Sequence, residues 1–261
     1  GVTSAISIAL SQYVGANDTD RVRKGIVASG WITLLLGVVL GLISVFAARP
    51  LMQLLKTPED VIDMSVLYIQ IVCGCGIAQF AYNAAASILR ALGDSKTPLY
   101  FLIVATLLNI VLALVFIINF GWGVPGSALA LVVAQGFSGL LCIIYIAKKF
   151  PVLHVRLSDF KWDSRFAWEH IRMGLPMAVQ FSVLGLGMII IQAICNQFGS
   201  ETIAAFTSAM RIEQLALQPM ISFGLAMAVY TAQNFGARKF GRISRGVKKL
   251  SLIHISEPTR H

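Results

Sequence analysis

Charge is what this sequence has least of. Asp, Glu, Lys and Arg together make up 13% of its 261 residues, and hydrophobic residues make up 57%, against roughly 25% and 45–50% in soluble globular domains. A soluble fold of this length has no interior large enough to hide that excess. Cysteine is sparse as well. Cys73, Cys75, Cys142 and Cys195 all fall in apolar stretches, form no CxxC, and have no His at metal-ligand spacing, so buried, inert thiols are expected. The four histidines, His154, His170, His254 and His261, lie in a polar linker or the tail and make no ligand cluster. HExxH, a Gly-rich phosphate loop, GxSxG and paired intramembrane aspartates are all missing, which leaves no enzyme signature and no cofactor site.

What is present is long apolar runs. Gly25–Ala48, Tyr100–Phe120 and Ser127–Ala147 contain no Asp, Glu, Lys or Arg. About 20 such residues, rising ~1.5 Å each, cross a hydrocarbon core of roughly 30 Å. In lipid every backbone N–H and C=O must be satisfied within the segment, so the runs are helices. The pattern predicts spans near 1–14, 25–48, 65–88, 99–120, 126–147, 173–197 and 214–235, an all-α polytopic fold with membrane lipid as its surroundings.

The net charge of +9 is one-sided. Alternating loops place seventeen Lys and Arg on one face of the membrane and only Arg49, Lys56 and Arg211 on the other. By the positive-inside rule the rich face is cytoplasmic, which predicts a multi-pass protein of a bacterial inner membrane. The basic excess therefore reports topology and gives no reason to expect nucleic acid as a partner.

An internal repeat organises the chain. Gln12-Tyr-Val-Gly15-Ala16, followed by Arg21 and Gly25, recurs 221 residues later as Gln233-Asn-Phe-Gly236-Ala237, followed by Arg242 and Gly246. Val22 and Lys24 meet Ile243 and Arg245 in kind. Both copies end a span and enter a basic loop on the same side, so the repeat is parallel, an arrangement common among transporters. The polar stretch 148–172, with Phe160, Trp162, Phe166 and Trp168 among its charges, reads as an amphipathic inner-surface linker. It divides residues 1–147, a first bundle truncated at its N-terminus, from 173–250, the start of a second. Ser251–His261 resembles translated adapter sequence and is expected to be non-native.

Local punctuation fits this plan. Leu89–Pro98 reads as a tight turn, with Thr97 expected to cap the next helix and Pro98 at its first position. Gly37 and Gly41 form a small-xxx-small pair for close helix approach. Gly121–Gly126 forms an outer turn with interfacial Trp122. Glu213 beside Arg211 is expected to be paired or solvated at the outer end of the last span.

Inside the spans the large polar residues are amides: Gln70, Gln79, Asn83, Asn109, Gln135, Gln180, Gln192 and Asn196. Each can bond a neighbouring helix, and together they suggest a hydrated cavity. Amides do not carry protons, and the runs contain no carboxylate. Pro176 and Pro219 interrupt the last two spans and are candidate hinges.

The residues also resemble a family, the multidrug and toxic compound extrusion (MATE) transporters. The resemblance rests on Gln12-x-x-Gly15-Ala16, Leu89-Arg-Ala-Leu-Gly93-Asp94-Ser-Lys-Thr97-Pro98, Asn109, Gly121-Trp-Gly-Val-Pro-Gly126-Ser-Ala128-Leu-Ala130, Arg172-Met-Gly174-Leu-Pro176 and Gln233-x-x-Gly236-Ala237. It covers about residues 1–250. It implies two six-helix lobes related by a parallel pseudo-two-fold, of which this chain supplies the end of helix 2 through helix 8. It also implies a monomeric antiporter that exchanges Na⁺ or H⁺ for amphipathic, often cationic, small molecules. The site carries over in part. Asn109 matches the family's cation-site Asn, whereas Ala113 and Leu131 stand where an acid and a Thr are found, and Gln180, Gln192 and Asn196 occupy the span where some members place a Glu. Two other readings of the residues remain: a flippase for lipid-linked sugars or polysaccharide, and a non-transporting membrane scaffold.

Overall fold

A computed structural model describes residues 2–54, 59–150, 164–195 and 200–253. They form helices α1 (Val2–Gly15), α2 (Thr19–Leu54), α3 (Glu59–Gly74), α4 (Gly76–Ala91), α5 (Lys96–Leu114), α6 (Gly123–Lys149), α7 (Ser164–Cys195), α8 (Ser200–Gly236) and α9 (Phe240–Ile253), with a π-helical turn, Val115–Asn119, closing α5. No strand occurs among the described residues. Among the described residues five helices are long and apolar enough to cross a membrane, and the bent pair α3–α4, taken as one span, makes a sixth. Their outer faces carry large apolar side chains such as Phe46, Leu107, Ile118 and Leu184. A bilayer solvates such faces, and their backbone groups are satisfied within the helices.

The chain forms two compact units, Thr19–Ala167 and Gly1–Asp18 with Trp168–His261. In the first unit, α4 and α6 pack along a glycine seam. A Cβ on Gly139 would stand 3.1 Å from the Tyr82 backbone nitrogen, and one on Gly136 would stand 3.6 Å from the Ala78 Cβ. Beneath this seam Tyr82, Ala85, Ala86, Leu89 and Cys142 form an apolar plug, with Phe101, Leu102, Tyr145 and Ile146 packed against it. Gly37 and Gly41 do bring helices close. A Cβ on the first would lie 3.1 Å from the Ile77 Cα, and one on the second 3.1 Å from the Cys73 carbonyl oxygen.

Several boundaries differ from the sequence reading. The span expected at 65–88 is broken at Cys75, where the axis bends by 43°. Cys75 sits at φ −93°, ψ 17° between two glycines, and the missing β-carbons on either side leave the turn without steric opposition. The thiol of Cys75 is exposed there rather than buried. Pro98 is the third residue of α5, not the first. Thr97 does not cap the helix; it is capped, because the Asp94 carboxylate accepts from the Thr97 N–H (3.1 Å) and hydroxyl (2.9 Å). The Gly121–Gly126 turn uses Gly121 and Gly123 at positive φ, 66° and 56°, with Trp122 stacked on Phe116 and Phe120 at 5.2 Å. Pro176 and Pro219 lie inside continuous helices. Of the stretch expected as a linker, 148–172, α6 takes in Lys148 and Lys149 and α7 begins at Ser164, while 151–163 lie outside the described residues. Glu213 and Arg211 are internal to α8, where residues two apart do not face each other. Of the expected tail, 254–261 lie outside the described residues.

The internal repeat is reproduced in backbone geometry. After α1 the chain turns at Asn17 (φ 59°), and after α8 at Arg238 (φ 55°), 221 positions apart in the sequence. Around Asn17 the N–H groups of Ala16, Asn17 and Asp18 donate to the carbonyls of Gln12, Val14 and Tyr13 at 3.0, 3.0 and 3.1 Å. Around Arg238 those of Ala237, Arg238 and Lys239 donate to Gln233, Phe235 and Asn234 at 3.0, 2.9 and 2.8 Å. Both are Schellman ends, in which a left-handed residue lets the last carbonyls find partners.

Candidate functional site

The core stripes of α4, α5 and α6 are apolar at the end carrying the basic turns and become polar toward mid-membrane. Side chains three, four and seven residues apart share a helix face. Gln135 lies seven residues before Cys142 and Asn109 seven after Leu102, so these two half-buried amides continue stripes that build the apolar plug, while Gln79, three residues before Tyr82 and seven before Ala86, continues that of α4 as an exposed side chain. Contacts between the helices fix their relative heights. Phe101 of α5 meets Tyr145 of α6 with ring centroids 5.9 Å apart, and a Cβ on Gly126 would meet the Phe116 Cβ at 3.0 Å. This register sets Asn109 and Gln135 within about one helical turn, ~5 Å, of each other in height. Gly136 beside Ala78 sets Gln79 at that same level.

Three amides on three packed helices thus form a band near the middle of α5 and α6. The Oε1 atom of Gln135 is enclosed and has no hydrogen-bond partner, and neither does the hydroxyl of Ser138 one turn away. An enclosed acceptor left unpaired costs about 1–3 kcal/mol, so these atoms are disposed to accept a hydrogen bond from, or to coordinate, whatever enters the band.

The remaining sequence candidates separate from this group. Gln70 spends its amide N–H on the Val45 carbonyl of α2 at 3.1 Å, a bond between helices. Asn83 donates to the Gln79 carbonyl one turn back at 2.8 Å. Gln180 is exposed on α7, in the other unit. The side chain of Gln192 and all of Asn196 lie outside the described residues.

Three features were not foreseen. His170 belongs to no linker: it lies in α7 and is fully buried, because Ala167, His170 and Gly174 recur at helical spacing on the inward face. Beside it the Tyr13 hydroxyl donates to Glu169 at 2.9 Å, tying α1 to α7. The third is a convergence on Asp94. Besides Thr97, the Tyr145 hydroxyl (3.0 Å) and the Lys149 ammonium (3.1 Å) donate to it from α6. Burial alone would raise the Asp94 carboxyl, but the hydrogen bonds from Thr97, Lys149 and Tyr145 outweigh it and hold it at about 2. Spacings of 51 and 55 residues hide this convergence from sequence inspection. No group of three or more potential metal ligands occurs among the described residues. In the other unit an open groove of about 630 Å³ is lined by apolar residues such as Met227, Ala228 and Phe235, with Gln12 and Thr231 as polar points.

A polytopic helical bundle with a parallel repeat and an amide band at mid-membrane has the architecture of a membrane transporter. The family comparison is specific: the MatE profile matches residues 1–115 and 176–255, and the chain belongs to that family. It is 32% identical over 255 residues to the "Probable multidrug resistance protein YoeA" of Bacillus subtilis, covering 95% of this chain and 55% of that protein. It is also 32% identical over 242 residues to YpnP of the same organism, a protein with the same description, covering 90% and 53%. A crystal structure of a MATE protein in its bent conformation superposes with a TM-score of 0.86 at 23% identity, over 94% of this chain and 55% of that one. The chain spans about half the length of the curated relatives it matches.

Proposed function

We propose that the protein to which this chain belongs is a secondary efflux transporter. It exchanges Na⁺ or H⁺ for amphipathic, often cationic, compounds by alternating access across the plasma membrane, with the basic turns on the cytoplasmic side. The observation that carries this reading is the band of Gln79, Asn109 and Gln135, which sits above an apolar plug with the Gln135 Oε1 unpaired. An unpaired amide oxygen near the middle of a bilayer suits a weakly held cation or a donor on a substrate, and it suits nothing in the lipid. The multidrug-resistance descriptions of YoeA and YpnP point the same way.

Amides do not titrate, so the band itself suits Na⁺ or a substrate cation. Coupling to protons would need a carboxylate or imidazole elsewhere, and Glu169 and His170, adjacent on α7 in the other unit, are candidates for both. The test uses the full-length protein in proteoliposomes, with accumulation of a fluorescent lipophilic cation followed under an imposed Na⁺ or H⁺ gradient. Transport under one gradient, reduced at least about tenfold by Gln135→Leu or Asn109→Leu, is the expected result. No movement under either gradient would overturn the reading. A lipid-linked-sugar flippase would need cationic side chains in the band, and none of its three members is charged.

A further inference from the structure

The two copies of the repeated Gln-x-x-Gly-Ala motif cross each other, and they do so reciprocally. A Cβ built on Gly15 would collide with the Gln233 carbonyl oxygen, and one on Gly236 with the Gln12 carbonyl oxygen. Each motif's glycine therefore rests on the carbonyl of the other motif's leading glutamine. The obstacles are backbone atoms, which cannot rotate away as a side chain end could. The next atoms met by a Cβ on Gly236 are the Gln12 carbonyl carbon at 2.8 Å and the Ala16 backbone nitrogen at 3.1 Å, again main chain. An exchange in which each partner does the same thing to the other defines a local two-fold axis between Gly15 and Gly236. Both helices then turn away through the same left-handed end, at Asn17 and at Arg238.

The crossing itself is main chain against main chain. Two side chains beside it have partners away from it: Tyr13 reaches Glu169 on α7, and Asn234 bonds back within its own helix to the Tyr230 carbonyl at 2.8 Å. Close backbone contact between glycines is worth van der Waals and weak Cα–H···O energy, strong only while the surfaces stay flush. It engages fully or not at all, as a two-state contact does.

We infer that Gly15 and Gly236 form the closure point of the transporter on the side bearing its basic turns, and that their lack of side chains sets how often that side is shut. The inference rests on the alternating-access reading, in which α1 and α8, packed here into one compact unit, belong to different lobes that part when that side opens. A methyl group at either glycine holds the helices apart and moves the population toward the state open on that side. Because the contact is reciprocal, the two substitutions act alike.

The experiment uses full-length protein in oriented membranes and a cysteine introduced by Ser11→Cys, with the native cysteines replaced. Ser11 is fully buried on α1, one turn into the span from Gly15. Its alkylation by a membrane-impermeant maleimide applied from the basic side is expected to be slow. It should accelerate on the order of fivefold or more with Gly15→Ala and by a similar factor with Gly236→Ala. Gly30→Ala, where an added Cβ meets nothing within 4 Å, should leave the rate unchanged. Equal, unaccelerated rates in glycine variants that still purify as folded protein would overturn the inference. Should neither variant fold, spin labels at Asp18 and Lys239 of otherwise unaltered protein decide the matter. Two interconverting distances whose ratio shifts with the coupling ion are expected, and one fixed distance under all conditions overturns it. Transport assayed in parallel keeps the two claims apart. Acceleration without transport upholds the closure point and removes the efflux reading, whereas transport with unaltered alkylation does the reverse.

Discussion

Three of the described helices end in the same way, and comparing them separates the fixed part of the molecule from the part suited to move. The ends after α1, α4 and α8 each turn at a left-handed residue, Asn17, Gly93 and Arg238, with φ of 59°, 88° and 55°. Their backbone bonding is alike; around Gly93 the N–H groups of Gly93 and Asp94 donate to Arg90 and Leu89 at 3.0 and 2.9 Å. The surroundings of the turns differ. After α4, Asp94 gathers donors from α5 and α6 and bolts three helices together. Where α1 meets α8, each motif's glycine instead presses on the other's bare backbone. A charge-assisted cluster is strong and has one good geometry; a flush backbone contact is weaker and separates cleanly. Identical local structure therefore serves a rigid bundle in one place and a closure point in another, and the side chains around the turn decide which.

Removing the bolt should have the largest effect on stability. Asp94→Ala strands the Thr97 N–H, the Tyr145 hydroxyl and the Lys149 ammonium, and should cost about 2–3 kcal/mol, seen as a fall of several degrees in the unfolding temperature of the purified protein. The same group gives a pH test. Its carboxyl is held at about 2, below the ordinary 3.8. Its contribution is therefore complete above about pH 4 and is lost as the pH falls through that value toward about 2. That contribution amounts to about 2 kcal/mol. Thermal melts of Asp94→Asn should lose this part of the acid sensitivity; an unchanged acid slope would show that the cluster is not the bolt described. The glycine contact of α2 with α3 should come next. Gly41→Val presses side-chain atoms toward the Cys73 carbonyl and should cost about 1–3 kcal/mol, measured in the same melts. Tyr145→Phe, which removes one donor from Asp94, should cost about 1 kcal/mol. Smallest of all should be Gln135→Leu. It deletes an enclosed acceptor that has no partner and with it that acceptor's own penalty, so stability should not fall while transport collapses. A large loss of stability there would identify Gln135 as a structural staple like Gln70.

Much of this was legible in the sequence, for physical reasons. Charge-free runs must be helices in lipid, and α2, α5 and α6 lie where Gly25–Ala48, Tyr100–Phe120 and Ser127–Ala147 place them. The repeat was legible because a turn that needs a left-handed residue, followed by a basic helix start, leaves a compact signature. Boundaries set by solvent were less legible: charged residues hid the first turns of α7, so His170 read as linker although it is fully buried. The break at Cys75 could not be separated from an ordinary apolar span, because glycine is common in membrane helices. The intramembrane amides were legible as a set of eight residues. Which three share one depth depends on helix register, and register is written in contacts such as Phe101 with Tyr145 that no local pattern encodes.

The central claim is that the core stripe of α4, α5 and α6 opens into a wet band at mid-membrane. Cysteine accessibility tests it most directly. In full-length protein lacking its native cysteines, Asn109→Cys and Gln135→Cys should react readily with a membrane-impermeant thiol reagent and be protected by a lipophilic cation. Leu107→Cys, two residues away on the outward face of α5 where Leu107 is 60% exposed, should stay unreactive in lipid. Labelling of the band positions as slow as that of Leu107→Cys would mean that the stripe is dry, and would contradict the account of this chain as part of a transport pathway.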